Sequence, residues 1–237
     1  MTHISAMTEQ AGRRSLGYWL LSRMFQEVPR ADGLEDMRRM LGCHAASNEL
    51  AELSRQIDEA LANPTEAAVA FTRHLVLADR KSGEPLPYEA HVLEGELPGE
   101  STSQVRQAML AAGYGEVATE ASSPDHLGAE LRFMALLCHE EYVAWLDGNA
   151  GLAGITLQVQ RRFLTEHLVR WAPGYCAALA ERTGNGYLRA VAKLTAVTVN
   201  DDLTLLEDLC AWIPPEESAP PIPTETALPI DAAEAYH

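Results

Sequence analysis

Ser122-Ser-Pro-Asp-His-Leu-Gly-Ala-Glu-Leu-Arg-Phe-Met-Ala-Leu-Leu137 opens the most regular helical pattern in the chain. Leu127, Leu131, Met134, Cys138, Tyr142 and Trp145 recur at steps of four, three, four, four and three, which places them on one face of a helix. The start signals agree. Ser123 is a good N-cap, Pro124 suits the first helical position, and Asp125 lies where a carboxylate favours the helix dipole. Together these are worth about 1 kcal/mol and need no function to explain them. They leave His126 unexplained. It stands one turn before Glu130, so an i, i+4 pair is expected. Three readings of the Asp-His pair stay open: a capped helix, half of a catalytic or metal site, or a surface that grips another chain.

Helical periodicity extends outward in both directions. Residues 8–27 set Leu16, Leu20 and Met24 on one stripe that closes at Pro29, and shorter patterns cover 34–41 and 49–61. Asn63-Pro64 marks a further start, with a helix expected through Phe71 to about Asp79. The segment from Lys81 to Gly99 holds three prolines and three glycines and reads as an extended connector, long enough to carry function. Helices then fit 103–112, 155–171 (ended by Pro173) and 187–212. The run Ala196-Val-Thr-Val199 has strand propensity between helical flanks, which should override it. The expected fold is all-α, with nine or ten helices in one compact domain over residues 1–213. Residues 214–237 carry six prolines and five carboxylates without lysine or arginine, the composition of a disordered acidic tail.

The chain has 237 residues, 47% hydrophobic and 22% charged, with 34 acidic against 18 basic side chains and a formal charge of −16. Such a surface repels nucleic acid, whose backbone requires a basic patch, and attracts basic peptides. No apolar run reaches the roughly 20 residues needed to cross a bilayer, so no stable membrane insertion is expected. Four dispersed cysteines, Cys43, Cys138, Cys176 and Cys210, point to reduced thiols in a reducing compartment. Gly12-Arg-Arg-Ser-Leu-Gly-Tyr-Trp-Leu-Leu21 imitates a twin-arginine export signal. Its apolar part is too short and ends at Arg23, so it reads as an amphipathic first helix of a cytoplasmic protein.

Catalytic motifs find little foothold. Gly113-Tyr-Gly-Glu-Val-Ala118 matches a dinucleotide fingerprint but follows a helix, and Gly113 reads better as a helix C-cap. His139-Glu-Glu-Tyr-Val lacks the second histidine of a zinc-protease helix, and no P-loop or G-x-S-x-G occurs. Phe163, His167 and Trp171 fall at i, i+4 and i+8, which fits either a packed stripe with one satisfied histidine or an aromatic-walled groove.

Pro124-Asp-His-Leu-Gly-Ala-Glu-Leu-Arg-Phe-Met-Ala-Leu-Leu137 closely resembles the signature helix of the TorD/DmsD/NarJ family of molybdoenzyme maturation chaperones. Phe163-Leu-Thr-Glu-His-Leu-Val-Arg-Trp-Ala-Pro173 resembles the F-x-x-x-H-L-x-x-W-x-P segment of that family, and Tyr187-Leu-Arg-Ala-Val-Ala-Lys-Leu-Thr195 its last helix. Pro87-Tyr-Glu-Ala90 looks like a loop written P-Y-E-S in many members, with Ala90 in place of the serine. The resemblance spans about residues 10–212. It implies an all-helical cytoplasmic chaperone, not an enzyme, with no cofactor of its own and present as a monomer or weak dimer. Its partner would be the catalytic subunit of a molybdenum oxidoreductase of the DMSO reductase type, bound through the N-terminal twin-arginine signal region until the cofactor is inserted. On this resemblance Tyr88, Glu89, Pro124, Asp125, His126, Glu130, His167 and Trp171 are the expected peptide-binding residues. Asp125 and Glu130 would offer carboxylates to arginine, and His126 would orient Asp125 or bond a peptide carbonyl. The alternative from another class is a helical regulator that binds a small molecule or nucleotide, and a hydrolase or metalloenzyme comes third.

Overall fold

The computed structural model describes residues 3–42, 47–77, 86–115 and 123–212. Within them lie ten α-helical segments: α1 His3–Gln26, α2 Ala31–Leu41, α3 Asn48–Ala62, α4 Pro64–Phe71, α5 Glu89–Glu94, α6 Glu100–Ala111, α7 Leu127–Leu146, α8 Ala150–Phe163, α9 Val169–Arg182 and α10 Gly186–Trp212. The fold is all-α. Among the described residues the only β-pairing is one isolated antiparallel bridge, Tyr88 with His126. The tail from 214 onward lies outside the described residues, as do Cys43 and Asp79.

The face read from the sequence of α7 is the centre of the core. Leu127, Leu131, Met134 and Cys138 are fully buried, each apolar side chain contributing roughly 1.5–3 kcal/mol of transfer free energy. α1 lies antiparallel against this helix, because small residues let the backbones approach. Ser22 Oγ donates to Gly128 O at 2.8 Å and Ser15 Oγ to Ala135 O at 3.0 Å. A Cβ on Gly128 would come within 2.5 Å of the Gln26 side chain. α8 flanks α7, and α10 runs along α9, α8 and α3, so one apolar cluster reaches from Met7 to Leu206.

Three expectations are corrected. The Lys81–Gly99 connector contains a helix, α5, which ends on Gly95 in the left-handed conformation (φ 75°). Pro173 does not end the helix that carries His167. The chain runs helically from Ala150 to Arg182, with a π-turn at Leu164–Leu168 and Pro173 inside α9. Buried Trp171, Ala172, Tyr175 and Cys176 around the proline hold that rod in place and outweigh the roughly 3 kcal/mol an interior proline costs. The start of α7 also shifts, to Leu127, and its cap is His126 instead of Ser123. Other expectations hold: Gly113 has φ 86° just beyond α6, and residues 196–199 are helical.

Candidate recognition site

The bridge between Tyr88 and His126 organises the region. Glu89 N donates to Asp125 O and Leu127 N to Pro87 O, both at 2.9 Å. This pairing ties the Pro-Tyr-Glu-Ala segment to the turn that leads into α7. The His126 and Tyr88 rings meet edge to face, with centroids 5.0 Å apart. His126 Nδ1 accepts from Gly128 N at 3.1 Å and so caps α7. That bond leaves the proton of the neutral ring on Nε2. Burial pushes the imidazole down to about 4, against a smaller upward pull from Asp125, so it is neutral at pH 7. With His126 spent on the cap, the expected pair with Glu130 gives way to other partners.

Asp125 is fully buried and works as a three-way acceptor. Its carboxylate takes Ala90 N at 3.2 Å, Thr102 Oγ1 at 3.0 Å and the Ser123 hydroxyl. It thereby fastens the first turn of α5 and the start of α6 to α7. Ser123 serves this carboxylate, and half-buried Pro124 forms the turn between them. Thr102 had no sequence signal, since nothing in Ser101-Thr102 marks a residue that reaches across the fold.

Glu89, the first residue of α5, is also fully buried. Its Oε2 lies 3.0 Å from His167 Nδ1, and its Oε1 lies 3.8 Å from the Arg170 guanidinium, a half-exposed group. The π-turn turns His167 towards Glu89, and such turns are frequent at functional sites. Glu130, one turn into α7, accepts from Trp171 Nε1 at 3.3 Å through Oε2. Burial, and after it the adjacent Glu89 carboxylate, push the Glu130 carboxyl well up. Glu89 Oε1 and Glu130 Oε1 receive no bond from a donor group among the described residues.

All eight residues singled out from the sequence therefore meet in one node built from five places: the 87–90 segment, the 123–126 turn, α7, the π-turn and α9. Tyr88 and Pro124 are half-buried at its edge, and the others are buried. Asp125 and Glu130 are not laid out on an open surface, so access to them requires movement at the rim. Arg170 belongs to the same node and was missed, because an exposed arginine on a helix carries no distinguishing pattern. Burial pushes the Cys138 and Cys176 thiols up, which leaves them unreactive as nucleophiles. Among the described residues no group of histidine, cysteine or acidic side chains is arranged to hold a metal ion, and no helix is long and apolar enough to cross a membrane.

A family model described as nitrate reductase delta subunit matches residues 43–177. The chain belongs to that family. All eight node residues fall inside the matched stretch. Among curated proteins, the TorD chaperones of two Vibrio cholerae serotype O1 strains, Classical Ogawa 395 and El Tor Inaba N16961, are 27% identical over 210 residues, covering 83% of this chain and 93% of theirs. The similarity to TorD thus extends beyond the family match and takes in most of the helical fold.

Proposed function

We propose that this protein is a cytoplasmic maturation chaperone for the catalytic subunit of a molybdopterin oxidoreductase of the DMSO reductase type. It binds the N-terminal twin-arginine signal region of that subunit, holds the apoenzyme for cofactor insertion and prevents premature export. Residues 1–213 form the chaperone domain, and the acidic tail is an appendage to it. The observation that carries this reading is the convergence of Glu89, Asp125 and Glu130 in one node whose carboxyl oxygens are only partly satisfied. A basic peptide is the complementary ligand, and the formal charge of −16 draws it in. The half-buried Tyr88 ring, set edge to face against His126, supplies apolar contact for the hydrophobic stretch that follows the arginines. Membership of a family with TorD chaperones supports a binding protein over a catalyst.

Isothermal titration calorimetry with the signal peptide of the molybdoenzyme encoded beside this chain tests the proposal. Binding that weakens with salt is expected. If neither that peptide nor the full apo-subunit binds, the proposal is wrong.

A further inference from the structure

Of the charged groups in the node, Arg170 is the half-exposed one, whereas Glu89, Asp125 and Glu130 are fully buried. It leaves the first turn of α9, and its Nη1 donates to Glu166 O at 3.0 Å, so the guanidinium is anchored on its own helical rod. Its distance from Glu89 Oε1 is 3.8 Å, too long for a hydrogen bond and short enough for charge attraction. That oxygen accordingly takes no bond from a donor group among the described residues. A locked arginine looks different: Arg14 donates to Glu141 at 2.8 Å and to Asp202 at 2.5 and 3.0 Å. A second carboxylate lies within range of Arg170. The exposed Glu94 carboxyl, at the far end of α5, is held low by hydrogen bonds from Ser101 and Glu100, with a smaller contribution from the Arg170 charge. Arg170 therefore stands between a buried acid that it shields without bonding and an exposed acid towards which it can rotate.

We propose that Arg170 is a built-in competitor at the Glu89 end of the node. It shields Glu89 Oε1 in the free protein and must swing outward, towards Glu94, before a client's cation reaches that oxygen. It thereby limits affinity for the client and is not part of the surface that holds it. The client is the basic signal region named above, so this inference rests on the chaperone reading. The physical cost has two parts. The Arg170–Glu89 attraction is given up, and a like charge stays beside the incoming one. An ion pair with one half-exposed partner is worth little, so the competition reduces affinity by about fivefold and does not block binding. A protein that holds a client and later releases it gains from a competitor carried on its own helix.

Calorimetry at low salt with the signal peptide of the neighbouring molybdoenzyme tests this. Arg170→Gln removes the charge and keeps a donor for Glu166 O, so its melting temperature should match that of the unaltered protein. It should bind the peptide about fivefold more tightly, while Arg170→Lys, which keeps the charge, stays within about twofold of the unaltered protein. Arg170→Met, which keeps the aliphatic stem, replaces the glutamine variant if that one melts early. In a Glu89→Gln background, where the amide still accepts from His167 and the carboxylate charge is gone, the gain from Arg170→Gln should shrink to less than about twofold. An equal gain in both backgrounds overturns the inference, because Arg170 would then act by general repulsion. Unchanged or weaker binding by Arg170→Gln also overturns it and leaves the chaperone reading intact. If neither the peptide nor the full apo-subunit binds any of these proteins, the chaperone reading fails and the competitor with it.

Discussion

Two buried polar nodes among the described residues differ in completeness. At the crossing of α1, α7, α8 and α10, Arg14 meets Glu141, Asp202 and Gln160. Every carboxylate oxygen there has a donor. Glu141 Oε1 takes Trp145 Nε1 at 3.1 Å, its Oε2 takes Arg14 and Gln160, and Asp202 divides Arg14 and the Tyr18 hydroxyl between its two oxygens. The second node, Glu89 with Glu130, has the acids and lacks an inserted guanidinium. Burial pushes its Glu130 carboxyl well up, where the first node has an arginine beside its acids. The first node locks helices together, and the second keeps two carboxyl oxygens without a donor among the described residues. Buried charges are costly unless paired, so a half-filled node is a place where a ligand gains more than it would on an open acidic surface.

The largest test attacks the completed node. Arg14→Met leaves Glu141 and Asp202 buried without their cation, and removing one partner of such a cluster costs about 3–5 kcal/mol. Urea unfolding at pH 7 should show that loss. An unchanged midpoint would mean that the Arg14 node does not lock the helices. Next comes the acid response of the second node. The His126 imidazole falls from 6.5 in the unfolded chain to about 4 when folded. Between those values the folded state holds fewer protons, so this contribution is complete above about 6.5 and lost as pH falls through about 4. The full span is about 3 kcal/mol. His126→Asn keeps a cap acceptor for Gly128 and should flatten the acid limb of the stability profile over that window. An unaltered limb would place the acid sensitivity elsewhere.

These nodes were unequally visible in the sequence. The face of α7 was legible because a period of 3.6 leaves a direct mark, and the fold class followed from the same mark along the chain. The membership of the second node was legible through resemblance, yet its geometry was not. Ser123 and Asp125 read as a cap and a dipole partner, whereas the fold uses Ser123 to satisfy Asp125 and hands the cap to His126. Burial decides that exchange of roles, and burial depends on the segment bearing Ala90 and on Thr102, remote in sequence. The Arg14 node was illegible for the same reason. Gly12-Arg-Arg-Ser-Leu drew notice only as an imitation of an export signal, while Glu141, Gln160 and Asp202 stand 127, 146 and 188 residues away. Pro173 misled because helix-breaking rules are local, and packing around Trp171 and Tyr175 overrides them.

Asp125→Ala separates the latch from the acid pair. It strips the acceptor from Ala90 N, Thr102 Oγ1 and the Ser123 hydroxyl, of which the first two belong to buried residues. A loss of about 2 kcal/mol is expected. Hydrogen exchange should quicken first at the amides of α5, because Asp125 holds the start of that helix. Uniform acceleration across all helices would show instead that α5 does not open as a unit.

The smallest effect, read near pH 4, is the most discriminating. Glu130→Gln replaces a carboxyl group that burial pushes towards its protonated form with a neutral amide of similar shape. The amide can still accept from Trp171, so near pH 4, where the unfolded carboxyl is protonated as well, stability should change by less than about 1 kcal/mol. The contrast with Arg14→Met follows directly: removing a charged partner from a filled node destabilises it, while neutralising an already neutral group in a half-filled one does not. The sign then turns with pH. Because the folded carboxyl titrates well above its unfolded value, the folded state retains a proton that the unfolded chain has lost. The unaltered protein therefore loses stability as pH rises from the ordinary carboxyl range through the folded value, and the glutamine variant is spared that loss. Urea midpoints of the two proteins should diverge in favour of the variant on the alkaline side. Parallel curves would mean that Glu130 is ionised in the folded protein, and the node would then be filled by some other donor.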